Sequence, residues 1–436
     1  MINRRGESGQ VLVLTALSMA ALLGFVALAT DVGLLFNAKR KLQIVADAAA
    51  TAAAINYYYS QSTTSAQSAG QTAAAANGAS NGSGGTSVVI NAPPTSGYHT
   101  TAGYFEAIVS QPNPTFFMKV FNYSSVTVVA RAVAGIVGPS DACIYVLDPS
   151  ASGAMTLQGS FNVDAPACGV IVDSNSSNAL QFTGGAGTLT AAWVGVAGGD
   201  GGQTGDSTPA PVTGVVPINN PLPNMTGPNP STDCAHTSAA TTVTSTSPEA
   251  SWGGIVCFTN TGGVTLSNVT LPTGIYVFEY GVTLSGEVST IPAGETNPPS
   301  TGYTGGATLD IYGGALSINT NTILELVAPS DSTGLSTAGI ALLEPAPNSN
   351  PITIQKGNAT GTITGIILAP DAQLYLQDSG GDNTPCTSTL ITNCAISFYS
   401  DIIVGQLFDK TATMAINSYS SAYPTDTPLK KIGLVE

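Results

Sequence analysis

The sequence predicts a mainly β protein with an N-terminal transmembrane α-helix. A small α+β unit follows the helix, and then a β-helix or solenoid-like domain, alternatively a β-sandwich. Three observations predict this. Val11–Thr30 is an unbroken apolar run, charged residues make up only 8% of the chain, and short alternating runs separated by Gly-, Asn- and Pro-rich turns fill the chain from about Pro139 onward. The domains read as 1–59 for the membrane helix, 60–138 for a linker and the small α+β unit, and 139–436 for an acidic β-rich region.

The 436 residues exceed one ordinary domain, and a hydrophobic content of 43% supplies a sizeable core. Average soluble proteins carry roughly 25% charged residues. Here Gly, Thr, Ser, Asn, Ala and Val replace them, which suits a turn-rich β surface. The formal net charge is −15, and between Ala132 and Leu429 the only Lys or Arg residues are Lys356 and Lys410. Such a surface neutralises neither a phosphate backbone nor an anionic bilayer, so nucleic acid is excluded as a partner of this region.

No charge interrupts the chain between Glu7 and Asp31. As a helix, Val11–Thr30 spans about 30 Å, the thickness of a bilayer core. Val11, Leu14, Leu22, Leu23, Phe25 and Leu28 are its candidate lipid-facing anchors, and the lipid bilayer is its expected partner. Ala16, Ser18, Ala20, Ala21, Gly24 and Ala27 would let a second helix approach closely. The rival reading is a cleaved signal peptide, with Arg4 and Arg5 as its basic start and Ala27-Leu28-Ala29 as its cleavage pattern. The apolar run is longer than a usual signal core of roughly 7–15 residues. Helix-forming sequence also continues through Asp31–Tyr58 with no Pro and one Gly. These two points favour an uncleaved anchor. Arg4 and Arg5 lie on one side of the run and Lys39, Arg40 and Lys41 on the other, so charge alone does not orient it. The short N-terminal tail and the cysteines place the N-terminus in the cytoplasm and the remainder outside.

These residues carry a resemblance. Gly9 and Gln10 before the apolar run, the Asp31-Val32-Gly33 step, the basic patch with Leu42-Gln43, and Asp47 followed by alanines resemble the N-terminal segment of TadG-like proteins of the Tad (Flp) pilus system. The family motif residues here are Gly9, Gln10, Asp31, Gly33 and Asp47. Tyr104–Val109, Phe116–Phe121 and Val126–Val137 are also compatible with that family. The resemblance implies a pseudopilin-like envelope subunit of a bacterial inner membrane, single-pass, with its large C-terminal part periplasmic and with pilus-assembly or pilin-like subunits as partners. Processed prepilins carry Glu at the fifth mature position. Here that position is Val11 counting after Gly6, or Leu14 after Gly9, so an anchored accessory protein fits better than a fibre subunit. In pilin-like assemblies a carboxylate such as Asp31 pairs with a neighbour's cation; the plainer reading leaves Asp31 at the outer interface, in water.

Ser60–Thr86 is rich in small polar residues and reads as a linker or frayed helix end. Val88–Ile90 and Val126–Val137 are strand candidates, and Tyr104–Val109 and Phe116–Phe121 are apolar enough to pack. Beyond Pro139, runs such as VTLSGEVS, ATLDIYGGALSIN and TNTILELVAPS suggest stacked coils, although no strict period is visible. Gly198–Ser247 and Thr290–Gly306 interrupt them as Pro- and Gly-rich loops. A looser resemblance to domains found behind TadG-like N-termini rests on the style of strand and turn alone.

Cys143, Cys168, Cys234, Cys257, Cys386 and Cys394 form three sequential pairs. The even count, the lack of CxxC and only two histidines, His99 and His236, favour disulfides in an oxidising compartment over zinc or buried thiols. Asp148-Pro-Ser150-Ala-Ser152 fits a DxSxS metal motif, but the β-rich sequence after it favours a surface turn. Asp200–Asp206 and Asp378–Asp382 lack the spacing of known Ca²⁺ loops and read as solvated. Asp371 and Asp378 have no spacing that singles out a hydrolase pair. Tyr57-Tyr58-Tyr59 and Tyr419–Tyr423 read as packing aromatics in preference to sugar contacts. No catalytic, cofactor-binding or metal-binding residue is nominated, and no cofactor is expected. The expected function is a non-enzymatic accessory or structural protein of a Tad-type pilus apparatus. The alternatives are an anchored adhesin binding a surface glycan and, more weakly, a β-helix polysaccharide-active enzyme.

Overall fold

A computed structural model describes residues 8–139, 141–185, 187–201, 206–356, 361–378 and 396–436. Cys386, Cys394 and the stretch Asp378–Asp382 beyond its first residue lie outside these. The chain is mainly β with one long N-terminal apolar helix. It divides into two compact units, residues 1–137 with 431–436, and residues 138–430.

The first unit is built on helix α1, Ser8–Ser60. From Leu42 onward α1 buries one face through Leu42, Val45, Ala46, Ala49, Ala50, Ala53 and Ala54. The three- and four-residue spacings place these side chains on one stripe. They pack on a sheet of β1 Ser87–Asn91, β2 Phe105–Pro114 and β3 Ser125–Pro139, which the C-terminal strand Lys430–Leu434 joins beside β3. β2 pairs antiparallel with both β1 and β3. Inward-facing Val88, Ile90, Phe105, Ala107, Val109, Ala130, Ala132 and Ala134 complete this core.

Ser60–Thr86 is not a linker: a second helix, α2, spans Thr63–Ala76. Ser62 caps it by accepting from the Ser65 N–H at 3.3 Å. Ala66, Gly70 and Ala74 recur every four residues and are buried against α1. A segment poor in large apolar residues orders itself here because small residues let two backbones meet. A Cβ on Gly70 would lie 2.9 Å from the Ala49 carbonyl oxygen and 3.1 Å from Ile90. The expected packing of Phe116–Phe121 is also corrected: these residues form an exposed turn instead.

In the second unit the described strand pairings are parallel, apart from an isolated antiparallel bridge between Asn178 and Asp200. They form ladders in which a strand pairs with one further along the chain. One buried file runs Val256, Tyr276, Leu309, Leu342, Ile367, Ile402, Ile144, Val170, Val194. Another runs Val264, Val282, Leu316, Ile352, Leu374, Leu407, Met155, Leu180. Parallel pairing in register puts like on like, so every rung buries its apolar residues on the next.

The order of these files is permuted relative to the chain. Ile402–Lys410 pairs with Ala142–Val146, so the first strands of the unit follow its last in the file order. The Gly198–Ser247 stretch therefore has a structural task, to carry the chain back to the opposite end of the ladder. On the way, the Ile218 N–H donates to Asp173 Oδ1 at 3.0 Å, Leu222 packs with Tyr145, Leu343, Leu368 and Ile403, and Gly227 lies against Asp310.

Cys143 bonds to Cys168 and Cys234 to Cys257, closing loops of 25 and 23 residues. Loops of that size contribute about 3 kcal/mol each in a chain-entropy account.

Gly70→Val is expected to lower the stability of the first unit by about 1–3 kcal/mol through overpacking between α1 and α2. Denaturant titration followed by helical circular dichroism measures it, and an unchanged midpoint would show that the two helices are not in tight contact.

Candidate functional site

The candidate site is the N-terminal half of α1 together with the groups that meet it. Over Val11–Thr30 no side chain is covered by protein: Val11, Leu14, Leu22, Leu23, Phe25 and Leu28 are each more than half exposed. Among the described residues this is one helix long and apolar enough to cross a membrane. Its few hydroxyls are satisfied within the helix. Thr15 donates to the Val11 carbonyl, Ser18 to Thr15, and Thr30 to Val26. In hydrocarbon such internal bonding spares the cost of a lone polar group.

Asp31, directly after this stretch, is buried. Asp31 is not in water at an interface, as the plainer reading had it, but is enclosed by backbone donors. Its Oδ1 accepts from the Phe116 N–H at 2.9 Å, and its Oδ2 accepts from Phe117 and Met118 at 2.9 and 2.7 Å. Three consecutive amides of the turn between β2 and β3 thus converge on one carboxylate, which suits an anion among backbone donors. Gly33 faces open space. Asp47 accepts from Gln43 Nε2 at 2.8 Å, and the same amide nitrogen donates to the Arg131 carbonyl on β3 at 2.8 Å. Lys39, Arg40 and Lys41 are exposed, and Lys39 Nζ donates to the Val129 carbonyl. Asp31, Gln43 and Asp47 therefore share one task, fastening α1 to the β2–β3 hairpin. Gly9 and Gln10 lie in the first turn of α1, and the Gln10 side chain is not among those described.

A second polar cluster lies on the outer side of the sheet. Glu106 is fully buried, accepting from Asn91 Nδ2 at 2.8 Å, Thr95 Oγ1 at 2.7 Å and Arg131 Nε at 2.6 Å. Arg131 also reaches Glu436 at 2.6 Å. Burial by itself would raise the Glu106 carboxyl, but the bonds from Thr95, Asn91 and Arg131 outweigh it and pull it down to about 2. Sequence reasoning missed this cluster because Glu106 and Glu436 are 330 positions apart and neither stands in a motif.

In the second unit the chemistry-bearing candidates are engaged in structure. Asp148 Oδ1 accepts from the Ser150 and Ala151 N–H groups at 2.9 and 2.8 Å, and Oδ2 accepts from Gln406 at 2.8 Å. Against the upward push of burial, these bonds lower its carboxyl. The DxSxS match is thus a hydrogen-bonded turn. Tyr419 and Tyr423 are buried and stack at 5.0 Å, and Tyr57 packs on Phe105 at 5.1 Å. His99 lies on Tyr104 and His236 on Trp252. Asp371 is exposed, and the side chain of Asp378 is not among those described. Among the described residues no group of three or more His, Cys, Asp or Glu residues could hold a metal. A cavity of about 490 Å³ is lined by Gly227, Tyr312, Gly314, Pro345, Asn348 and Asn350.

Two carboxyls that no motif marks stand out. Asp310 and Glu344 are buried, and among the described residues their oxygens meet no donor. Burial pushes both up to about 8. Asp173 is pushed up to about 6 by burial despite accepting from Ile218.

Residues 9–56 match a family model described as putative Flp pilus-assembly TadE/G-like. Comparison with curated proteins and with solved structures returns no match.

The two units should respond oppositely to pH. Glu106 binds its proton less tightly when folded, so its contribution is present above the ordinary 4.5 and lost as pH falls toward about 2. Glu106→Gln should cost the first unit about 1.5–3 kcal/mol at neutral pH and blunt its acid transition in a denaturation series. Asp310 holds its proton more tightly when folded, so stability is full below the ordinary 3.8 and declines as pH rises to about 8. Asp310→Asn should flatten that decline in thermal melts of the second unit, and a variant melting with the parental pH dependence would show the carboxyl is ionised in the fold.

Proposed function

We propose that the chain is a membrane-anchored, non-enzymatic accessory or structural protein of a Tad (Flp) type pilus assembly apparatus. The observation that carries the reading is a coincidence in position. The segment 9–56 that matches the pilus-assembly family model is also the helix whose first half is apolar on every side and uncovered. Val11–Thr30 crosses the bacterial inner membrane once, and the remainder lies outside the cytoplasm. The two disulfides support an oxidising exterior. Ala16, Ala20, Gly24 and Ala27 offer a small-residue stripe to another pilin-like helix.

For the second unit we favour a β-helix over a β-sandwich. Parallel pairing of successive coils in register supports it, whereas sandwiches are built from antiparallel sheets. The absence of enzymatic activity is part of the proposal. It is supported by the internal hydrogen bonding of Asp148 and by the lack of Arg after Arg131 to hold an acidic sugar. The second reading, an anchored glycan-binding adhesin, draws on the cavity beside half-exposed Tyr312, where an aromatic face and the amides of Asn348 and Asn350 suit a sugar.

Deleting the gene in a Tad-piliated bacterium should abolish or sharply reduce pili and surface attachment, and a deletion of Val11–Thr30 should not rescue it. Electron microscopy and attachment assays read both. Unchanged pili would count against the leading reading, and lost attachment with pili intact would favour the adhesin.

A further inference from the structure

The turn that Asp31 holds is an unusual surface. Phe116, Val120, Phe121 and Tyr123 are 63%, 82%, 74% and 59% exposed, and Phe117 is nearly half exposed. Phe105 of the same unit, by contrast, is inside its core. The exposure is enforced by the backbone. Asp31 fixes the amides of 116–118, Thr115 N–H bonds to Ser124, Val120 N–H to Phe117, and Tyr123 N–H to Met118. Asn122 closes the turn in the left-handed region, at φ 65°, donating to Lys119 and Met118. The tip therefore presents four aromatic rings, a valine and one cation, Lys119, on a backbone whose donors are largely occupied. That combination tolerates a medium poor in water.

Its position names the medium. Asp31 follows the apolar stretch directly, so the turn sits where α1 would leave the bilayer. The uncovered apolar surface of α1 continues past Asp31 through Val32, Leu34 and Phe36, about 7.5 Å further along the helix. Phe, Tyr and Lys are also the residue types that settle at a membrane interface, with rings in the headgroup region and the ammonium reaching water.

We infer that the Phe116–Tyr123 turn inserts into the interface of the bilayer that α1 crosses, as a second membrane contact locked to the helix by Asp31. This rests on the anchoring reading of Val11–Thr30. The partner is the phospholipid headgroup and upper acyl region, not another protein. Two contacts joined by one buried carboxylate fix the first unit's orientation on the membrane, which a single helix leaves free.

Tryptophan quenching in the full-length protein, reconstituted in vesicles with acyl chains brominated at shallow or deep positions, tests this. The parent chain's Trp193 and Trp252 provide the baseline. Phe121→Trp adds a probe at the exposed tip, and Leu23→Trp adds one in mid-helix. The expected result is that shallow bromines remove most of the emission added at 121, while deep bromines remove most of that added at 23. Quenching at 23 with none at 121, where soluble iodide quenches instead, overturns the inference and leaves the anchor intact. No quenching at either position overturns both. A blue-shifted, lipid-insensitive probe at 121 means that a second protein surface covers the turn, which also overturns it.

Discussion

The carboxylate of Asp31 is the pivot of the N-terminal unit. Before it, the apolar side chains of α1 are exposed; from Leu42 onward, α1 has a face that belongs to a core. A buried anion is costly unless donors surround it, and three backbone amides of one turn do so here. That arrangement ties the helix to the β2–β3 hairpin at the point where the helix changes environment. The alanine stripe from Ala46 to Ala54 then lets the sheet and α2 close on it without large side chains.

The second unit depends on repetition. Apolar residues of one strand bury beside those of the strands paired with it, so the ladder needs no dense local motif. The permuted order, with Ile402–Lys410 stacked on Ala142–Val146, places both the entry and the exit of the chain in the interior of the file order. The long connection that returns along Asp173, Leu222 and Asp310 follows from that order. It also accounts for the buried carboxyls. Gly227 lies so close to Asp310 that an added Cβ would be 1.7 Å from its carboxyl oxygen, and among the described residues no donor meets that carboxyl. A carboxyl in that position keeps its proton.

The opposite electrostatics of the two units reflect their construction. Glu106 is held by donors from three segments and stays ionised. Asp310 and Glu344 are buried without a donor among the described residues, and burial pushes their carboxyls upward. Each result comes from the balance of burial and hydrogen bonding, and the residue type alone predicts neither.

The sequence by itself determined the apolar helix, the TadG-like segment, the strand-rich remainder and the sequential cysteine pairing, of which Cys143–Cys168 and Cys234–Cys257 are seen as bonds. These are local properties: a charge-free run, alternation, spacing. Tertiary structure alone decided that Ala66, Gly70 and Ala74 make a helix, that Phe116–Phe121 stays outside, that Asp31 binds amides and that Glu106 meets Glu436. It also decided the order in which the strands pair. Those outcomes hinge on which backbone comes near which, and a chain encodes such proximity through the joint burial of distant residues, where no short window of sequence displays it.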